Sequence, residues 1–321
     1  MLFEAEYEID PAPFDSISFD ICARREDVIV MSSDLSKYCQ VVRVKNELPR
    51  QHLDVGMAEQ NLLSVAAGVS KAGLVPISTC FACYISRRAY DQMLNCMGTG
   101  SGPGSNQETG PTNVVIGFTP GIVNPARIHH QATEDLGMVR AIPNSTVIDP
   151  MDVLDFRQAV EAAIDRPGLT YIRGHRGNTP HMLDPAKFTF EIGKTYPLVK
   201  GAGIGIVATG HATQWALEAS KLLKERGVDH SVLHAPTIKP INEKEVADFC
   251  FAHDRIVTVE NHQIVTGLGS LVTEIISDIG GGPQVMRLGV PNTWAPGGTL
   301  PYVRSQVGLD AETLANTIAE G

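Results

Sequence analysis

The stretch Asp54-Val-Gly-Met-Ala-Glu-Gln-Asn61 sets one carboxylate, Glu59, among small and apolar neighbours, and the apolar run LLSVAAGVSKAG follows directly. That run has helical spacing, so Glu59 stands where the chain enters a helix. The macrodipole alone would stabilise an acid there. Any chemistry depends on what the fold brings opposite it. Cys80 and Cys83 form a C-x-x-C, the spacing of redox and metal pairs. They lie in ISTCFACYIS at the end of an expected strand, and no second pair has zinc-like spacing, so packing is the stronger reading. GAGIGIVATG, Gly201 to Gly210, carries part of a G-x-G pattern. A dinucleotide fingerprint needs a strand before its glycines and a helix directly after them. Here the glycines come first, and the stretch reads as a turn into a strand.

The elements that must position these residues alternate between strand and helix, the pattern of mostly parallel α/β sheets. Strands are expected at 27–31, 74–80, 114–117, 146–148 and 170–173, and helices at 58–71, 87–96, 133–140 and 152–165. Then GNTPHMLDPAKFTFEIG, with two prolines and no clear period, reads as a linker. A second unit follows, with strands at 204–208, 230–234, 255–260 and 284–288 and helices at 213–225, 243–253 and 268–279. Two α/β domains are therefore expected, 14–190 and 191–321. The Gly/Ser/Pro-rich stretch from Gly98 to Asn113 is a loop, either an exposed connection or a cover over a site.

The chain has 321 residues, 43% hydrophobic and 19% charged, with a formal net charge of -10. That charge gives no general attraction to nucleic acid or anionic membrane. The acidic, proline-containing start MLFEAEYEIDPAPFDS lacks the features of a signal peptide, and no apolar run reaches the roughly 20 residues of a membrane span. A cytoplasmic protein is expected.

Taken together, DVGMAEQN, VAAGVSKAG, STCFACYISRRAYDQM, HQATEDLGMVRAIPN and DP resemble the pyrimidine-binding domain of transketolase. GIVATGHATQWALEASKLLKERGV, VLHAPTIKPI and VTVENHQIVTGLGSLVTEII resemble the transketolase C-terminal domain. The motifs run in the family's order from about Asp27 to Gly289. The same plan serves deoxyxylulose-phosphate synthase and the β subunits of 2-oxo-acid dehydrogenases. The family holds the cofactor diphosphate through Mg²⁺ and a GDG motif with a downstream Asn, in a separate N-terminal domain. This chain has no GDG and no matching cluster of magnesium ligands. The resemblance therefore implies the C-terminal subunit of a split transketolase. A partner chain would carry the diphosphate and Mg²⁺ site, in an assembly of two copies of each chain.

The resemblance also assigns roles. Glu59 matches the carboxylate that hydrogen-bonds the far pyrimidine nitrogen of thiamine diphosphate, so that the cofactor's own amino group can act as base. Phe81 and Tyr84 match the aromatics that pack on the aminopyrimidine, with ordinary core packing as the alternative. His130 matches the histidine facing the reacting carbon chain, where a neutral imidazole can move a proton or bind hydroxyls. His129 stands where relatives have Thr or Ser. Arg176 matches a substrate-phosphate arginine, and Arg173 could fill that role instead, since a guanidinium fork suits phosphate. Ser33 is expected near the substrate phosphate and Asp34 at a subunit contact. Gln60 and Arg88 lie near the same motifs and could order the loop or the interface. His262 is read as structural, contacting the neighbouring domain or subunit.

Two departures concern the sugar. NPARIHHQ replaces the family's GEDGPTHQ, so the Asp that binds a sugar hydroxyl is lost near Ala126, and Phe118 stands where a second phosphate-pocket His is usual. The expected activity is thiamine diphosphate-dependent transfer of a two-carbon ketol unit to an aldehyde, from a ketose that is phosphorylated or has a non-standard end. The alternatives are a deoxyxylulose-phosphate synthase-like or 2-oxo-acid dehydrogenase β-like subunit, and a structural or regulatory subunit without chemistry.

Overall fold

The computed structural model describes residues 7–99, 110–126 and 128–321. Most of the Gly98–Asn113 loop, 100–109, thus lies outside the described residues. Two sheets organise the rest. The first holds seven strands in the order Thr237–Lys239, Thr146–Ile148, Gly168–Gly174, Thr112–Phe118, Val75–Phe81, Val28–Ser32, His52–Asp54. All neighbours are parallel except the first pair. The second holds Gln284–Val290, Arg255–Gln263, Ile204–Ala208, His230–His234 and Tyr196–Val199, parallel except for the last edge. The central strands Val75–Phe81 and Thr112–Phe118 are buried nearly throughout and read as continuous apolar runs, as a sheet covered on both faces requires. This is the mostly parallel α/β architecture expected. One strand departs from the simple division near residue 190. Thr237–Lys239, from the second stretch of chain, is the antiparallel edge of the first sheet.

Helices cover both sheets. Glu59–Lys71 buries Leu62, Leu63, Ala66, Ala67 and Ser70, one stripe at i, i+3, i+4 spacing. The helix expected over 87–96 is broken. Ala82–Arg88 ends at Ala89, a short Tyr90–Gln92 turn follows, and Met93–Gly98 winds more widely. The helix expected from Thr133 begins at Asp135, because the Thr133 carbonyl instead accepts from the Gln263 amide at 2.7 Å. Among the described residues four α-helices carry no assignment in the sequence reading: Pro13–Arg24, Val42–Glu47, Leu300–Gln306 and Ala311–Glu320. Among the described residues no helix is long and apolar enough to cross a membrane.

Candidate active site

Three strand ends of the first sheet bring the site together. Val28–Ser32 runs into Ser33 and Asp34, the latter held at φ 58°. His52–Asp54 runs into the turn before the Glu59 helix. Asp54 locks these two ends: its carboxylate accepts from the amides of Asp34 (2.9 Å) and Gly56 (3.0 Å) and from the Ser36 hydroxyl (3.1 Å). Burial pushes that carboxyl up, but the three donors outweigh it and hold it below the ordinary value. Gly56 takes φ 75°, which turns the chain into Ala58 and the helix. Glu59 thereby enters the helix with its side chain inward, 5% exposed. Among the described residues its charged partner is Arg88, whose Nη1 donates to Oε1 at 3.0 Å.

The third strand, Val75–Phe81, ends on Phe81, and the helix that follows at once sets Tyr84 and Arg88 one turn apart. Phe81 and Tyr84 stack with centroids 5.8 Å apart and planes at 28°. Tyr84 Oη lies 3.0 Å from His130 Nε2, and the His130 ring meets Phe81 edge-on. The Arg88 guanidinium covers the Tyr84 ring at 4.2 Å. His130 Nδ1 is buried and has no partner among the described residues. Burial, and secondarily His129, hold the imidazole below its ordinary pKa, so it is neutral near pH 7. A neutral imidazole with an unused ring nitrogen can accept or donate a proton.

These groups face one cleft of about 430 Å³. Ser33, Asp34, Glu59, Phe81, Tyr84, His130 and Arg176 all line it, as does Ala126. Arg176 is exposed and lies 4.9 Å from the Tyr38 ring centroid and 5.8 Å from that of Phe81. The cleft also has Tyr38, Met57 and Asn124 in its walls, residues that the motif reading passes over. Tyr38 and Met57 offered a signal only as apolar residues in polar turns. Asn124 offered none. Gln60 lies outside the cleft, in an adjoining hollow of about 480 Å³ shared with Arg88 and Asn61.

Two expectations need correction. Arg173 does not reach the cleft. It points out of the Gly168–Gly174 strand into the protein, 1% exposed, pairs with Asp135 through Nε (3.0 Å) and Nη2, and donates to the Asn261 carbonyl at 3.1 Å. A buried guanidinium must be met by carboxylates and carbonyls, and this one is already spoken for. Phe118 is likewise no part of the cleft; it is fully buried against Phe14 and Phe156. His262 is buried, and its Nε2 accepts from the Gly137 amide at 3.4 Å, so it does contact the other domain. Cys80 and Cys83 are buried free thiols; Ser33 Oγ donates to Cys80 Sγ at 3.2 Å.

Among the described residues no three His, Cys, Asp or Glu side chains converge as metal ligands. The cleft itself is lined by aromatic rings and a buried carboxylate. Its chemistry fits the pyrimidine half of thiamine diphosphate. A flat, nitrogen-bearing ring needs an aromatic wall and a buried carboxylate. Phe81, Tyr84 and Glu59 supply both, and His130 Nδ1 is a buried polar atom without a partner among the described residues.

Comparison with known proteins agrees. Residues 19–182 match the family described as transketolase, pyrimidine binding domain, and residues 193–314 match transketolase, C-terminal domain. A transketolase family protein of Sinorhizobium fredii is 35% identical over 318 residues, covering 98% of this chain and 90% of the relative. A 6-deoxy-6-sulfo-D-fructose transketolase subunit of Clostridium sp. is 30% identical, covering 93% of this chain and 90% of the relative. A split gene transketolase, solved as an inactive β4 tetramer, superposes with a TM-score of 0.83 at 28% identity and 96% coverage of both chains.

Proposed function

The chain belongs to the transketolase family, and from that premise we propose that it is the C-terminal subunit of a split enzyme transferring a two-carbon ketol unit from a ketose to an aldehyde. Thiamine diphosphate, which the family uses in general, would supply a nucleophilic carbon, once deprotonated, and an electron sink for the pair released by C–C cleavage. Glu59 holds the pyrimidine by a hydrogen bond to its ring nitrogen, strengthened by burial. Phe81 and Tyr84 hold the ring faces. Neutral His130, oriented by the Tyr84 hydroxyl, binds a donor hydroxyl and carries its proton. Arg176 and Ser33 meet an anionic donor end. The observation that carries this reading is the convergence of Glu59, Phe81, Tyr84 and His130 on one cleft.

A partner chain supplies the diphosphate and Mg²⁺ site, two copies of each chain forming the assembly. The cleft's rim supports this: Met57 is 78% and Tyr38 48% exposed, apolar surface placed for cover by another chain. Asp34 and Gln60 sit on the same side and belong to that contact. The donor differs from the usual sugar phosphates, because Ala126 lines the cleft where an Asp would read a hydroxyl. The relative named for a sulfonated ketose supports such a donor.

The test mixes this chain with the partner subunit, thiamine diphosphate and Mg²⁺, and assays a panel of phosphorylated, sulfonated and neutral ketoses. Transfer should need both chains and should be poor with xylulose 5-phosphate. No transfer from any donor would overturn the function. Xylulose 5-phosphate as best donor by a wide margin would overturn the donor assignment.

A further inference from the structure

Among the described residues, none that lines the cleft comes from the second domain; the last of them in sequence is Arg176. Yet the second domain grips the loop on which Asn124, Ala126 and His130 stand. That loop leaves the first sheet at Pro120 and returns at Thr133, and paired amides and carbonyls of Gly121 and Ala132 close its neck. Asn261 spans the outgoing strand of the neck. Its Oδ1 accepts from the Ile122 amide at 2.9 Å and its Nδ2 donates to the Pro120 carbonyl at 3.3 Å. Beside it, the Gln263 amide donates to the Thr133 carbonyl at 2.7 Å. Near the tip, the Gly298 amide donates to the Pro125 carbonyl at 2.9 Å, and Gln131 Nε2 donates to the Pro296 carbonyl at 3.1 Å. From the loop's own domain, Arg87 holds the Ile128 and Gln131 carbonyls.

Asn261 is built for this role. It is fully buried, and its own carbonyl accepts from Arg173. Gly121 approaches it so closely, at φ 59°, that a Cβ there would run into the Asn261 amide. A side chain using both ends of its amide on two backbone groups of one turn fixes that turn's orientation, not merely its presence.

We propose that Asn261 is a positioning residue: with the Pro296–Gly298 segment it lets the C-terminal domain set donor affinity by orienting Asn124, Ala126 and His130, without touching the donor. The inference rests on the ketol-transfer reading above. Cofactor activation, by contrast, belongs to Glu59, which stands on the Glu59–Lys71 helix and is bonded by Arg88, not by the loop or the C-terminal domain, so the two effects separate.

The experiment uses the reconstituted two-chain enzyme with 3-hydroxypyruvate as donor, and two variants. Asn261→Ala removes both neck bonds. Gln131→Met removes the bond to Pro296, and with it the 3.4 Å bond from the same Nε2 to the Asn124 carbonyl, while keeping shape; its Oε1 has no partner to lose among the described residues. Each should raise the KM for 3-hydroxypyruvate by about tenfold, the scale of one or two lost hydrogen bonds. Exchange of the cofactor's C2 proton should stay within about twofold of the unaltered assembly. An unchanged KM in either variant would overturn the proposal. So would KM and C2 exchange worsening together in both, the signature of general loosening. Should Asn261→Ala fail to assemble, Gln131→Met decides alone. Absence of C2 exchange in the unaltered assembly would instead overturn the functional reading, and this inference with it.

Discussion

Arg173 and Arg176 lie three residues apart and do unrelated work. Sequence offers two guanidiniums at the end of one strand and no means of choosing between them. The choice is made by Asp135, a carboxylate 38 positions away that folds beneath the strand and takes Arg173. Burial pushes the Asp135 carboxyl up, but the Arg173 charge outweighs it and holds it low. Replacing Arg173 with Ala should therefore leave a buried carboxylate unpaired and cost about 3–5 kcal/mol of stability, read by denaturant unfolding. Arg176→Ala should leave stability within about 0.5 kcal/mol and raise the KM for an anionic donor more than it lowers kcat. If Arg176→Ala left the KM of an anionic donor unchanged, the residue would have no part in donor binding. Glu59, Phe81, Tyr84 and His130 were legible because a motif fixes both their type and spacing. Asn124 and Asn261 were not, because their roles come from backbone groups far off in sequence.

Elements with a long, clean period were read within a residue or two: Glu59–Lys71, Val75–Phe81 and Ile204–Ala208. Pro13–Arg24 was missed although Phe14, Ile17, Ile21 and Cys22 mark a buried stripe, because Pro and acids around them resemble a tail. Thr237–Lys239 is too short to carry a period, and only its partner defines it. One contact between elements of the two domains is a pair of histidines. His175, just past the Gly168–Gly174 strand, stacks on His211 of the Gly210–Glu225 helix at 4.3 Å and bonds the Pro150 carbonyl. Burial pushes its pKa down to about 4. The unfolded chain takes up this proton near the ordinary value of 6.5 and the folded chain resists it. The stability carried by neutral His175 is thus full above pH 6.5 and lost as pH falls toward 4. His175→Phe keeps the stack and cannot titrate. Its melting temperature relative to the unaltered chain should rise as pH falls from 6.5 to 4, an advantage on the order of 3 kcal/mol at the limit. A difference independent of pH would show that His175 is not held neutral.

At the scale of the molecule, the first domain supplies the groups that line the cleft and the second holds the loop over it, joined by a strand that crosses between them. The cleft stays open on the side where Met57 and Tyr38 are bare. In the account proposed here a second chain closes that side and brings the clamp for the cofactor's diphosphate. The central claim is that Glu59, buried at the mouth of its helix, activates a cofactor shared between two chains. The direct measurement is the exchange rate of the thiamine diphosphate C2 proton in the mixed assembly, with Glu59 and with Glu59→Gln. The Gln variant keeps the shape but has no carboxylate, and exchange should slow by at least about a hundredfold, the scale of a positioned proton-transfer group. Exchange at a near-normal rate in the Glu59→Gln assembly would contradict the account.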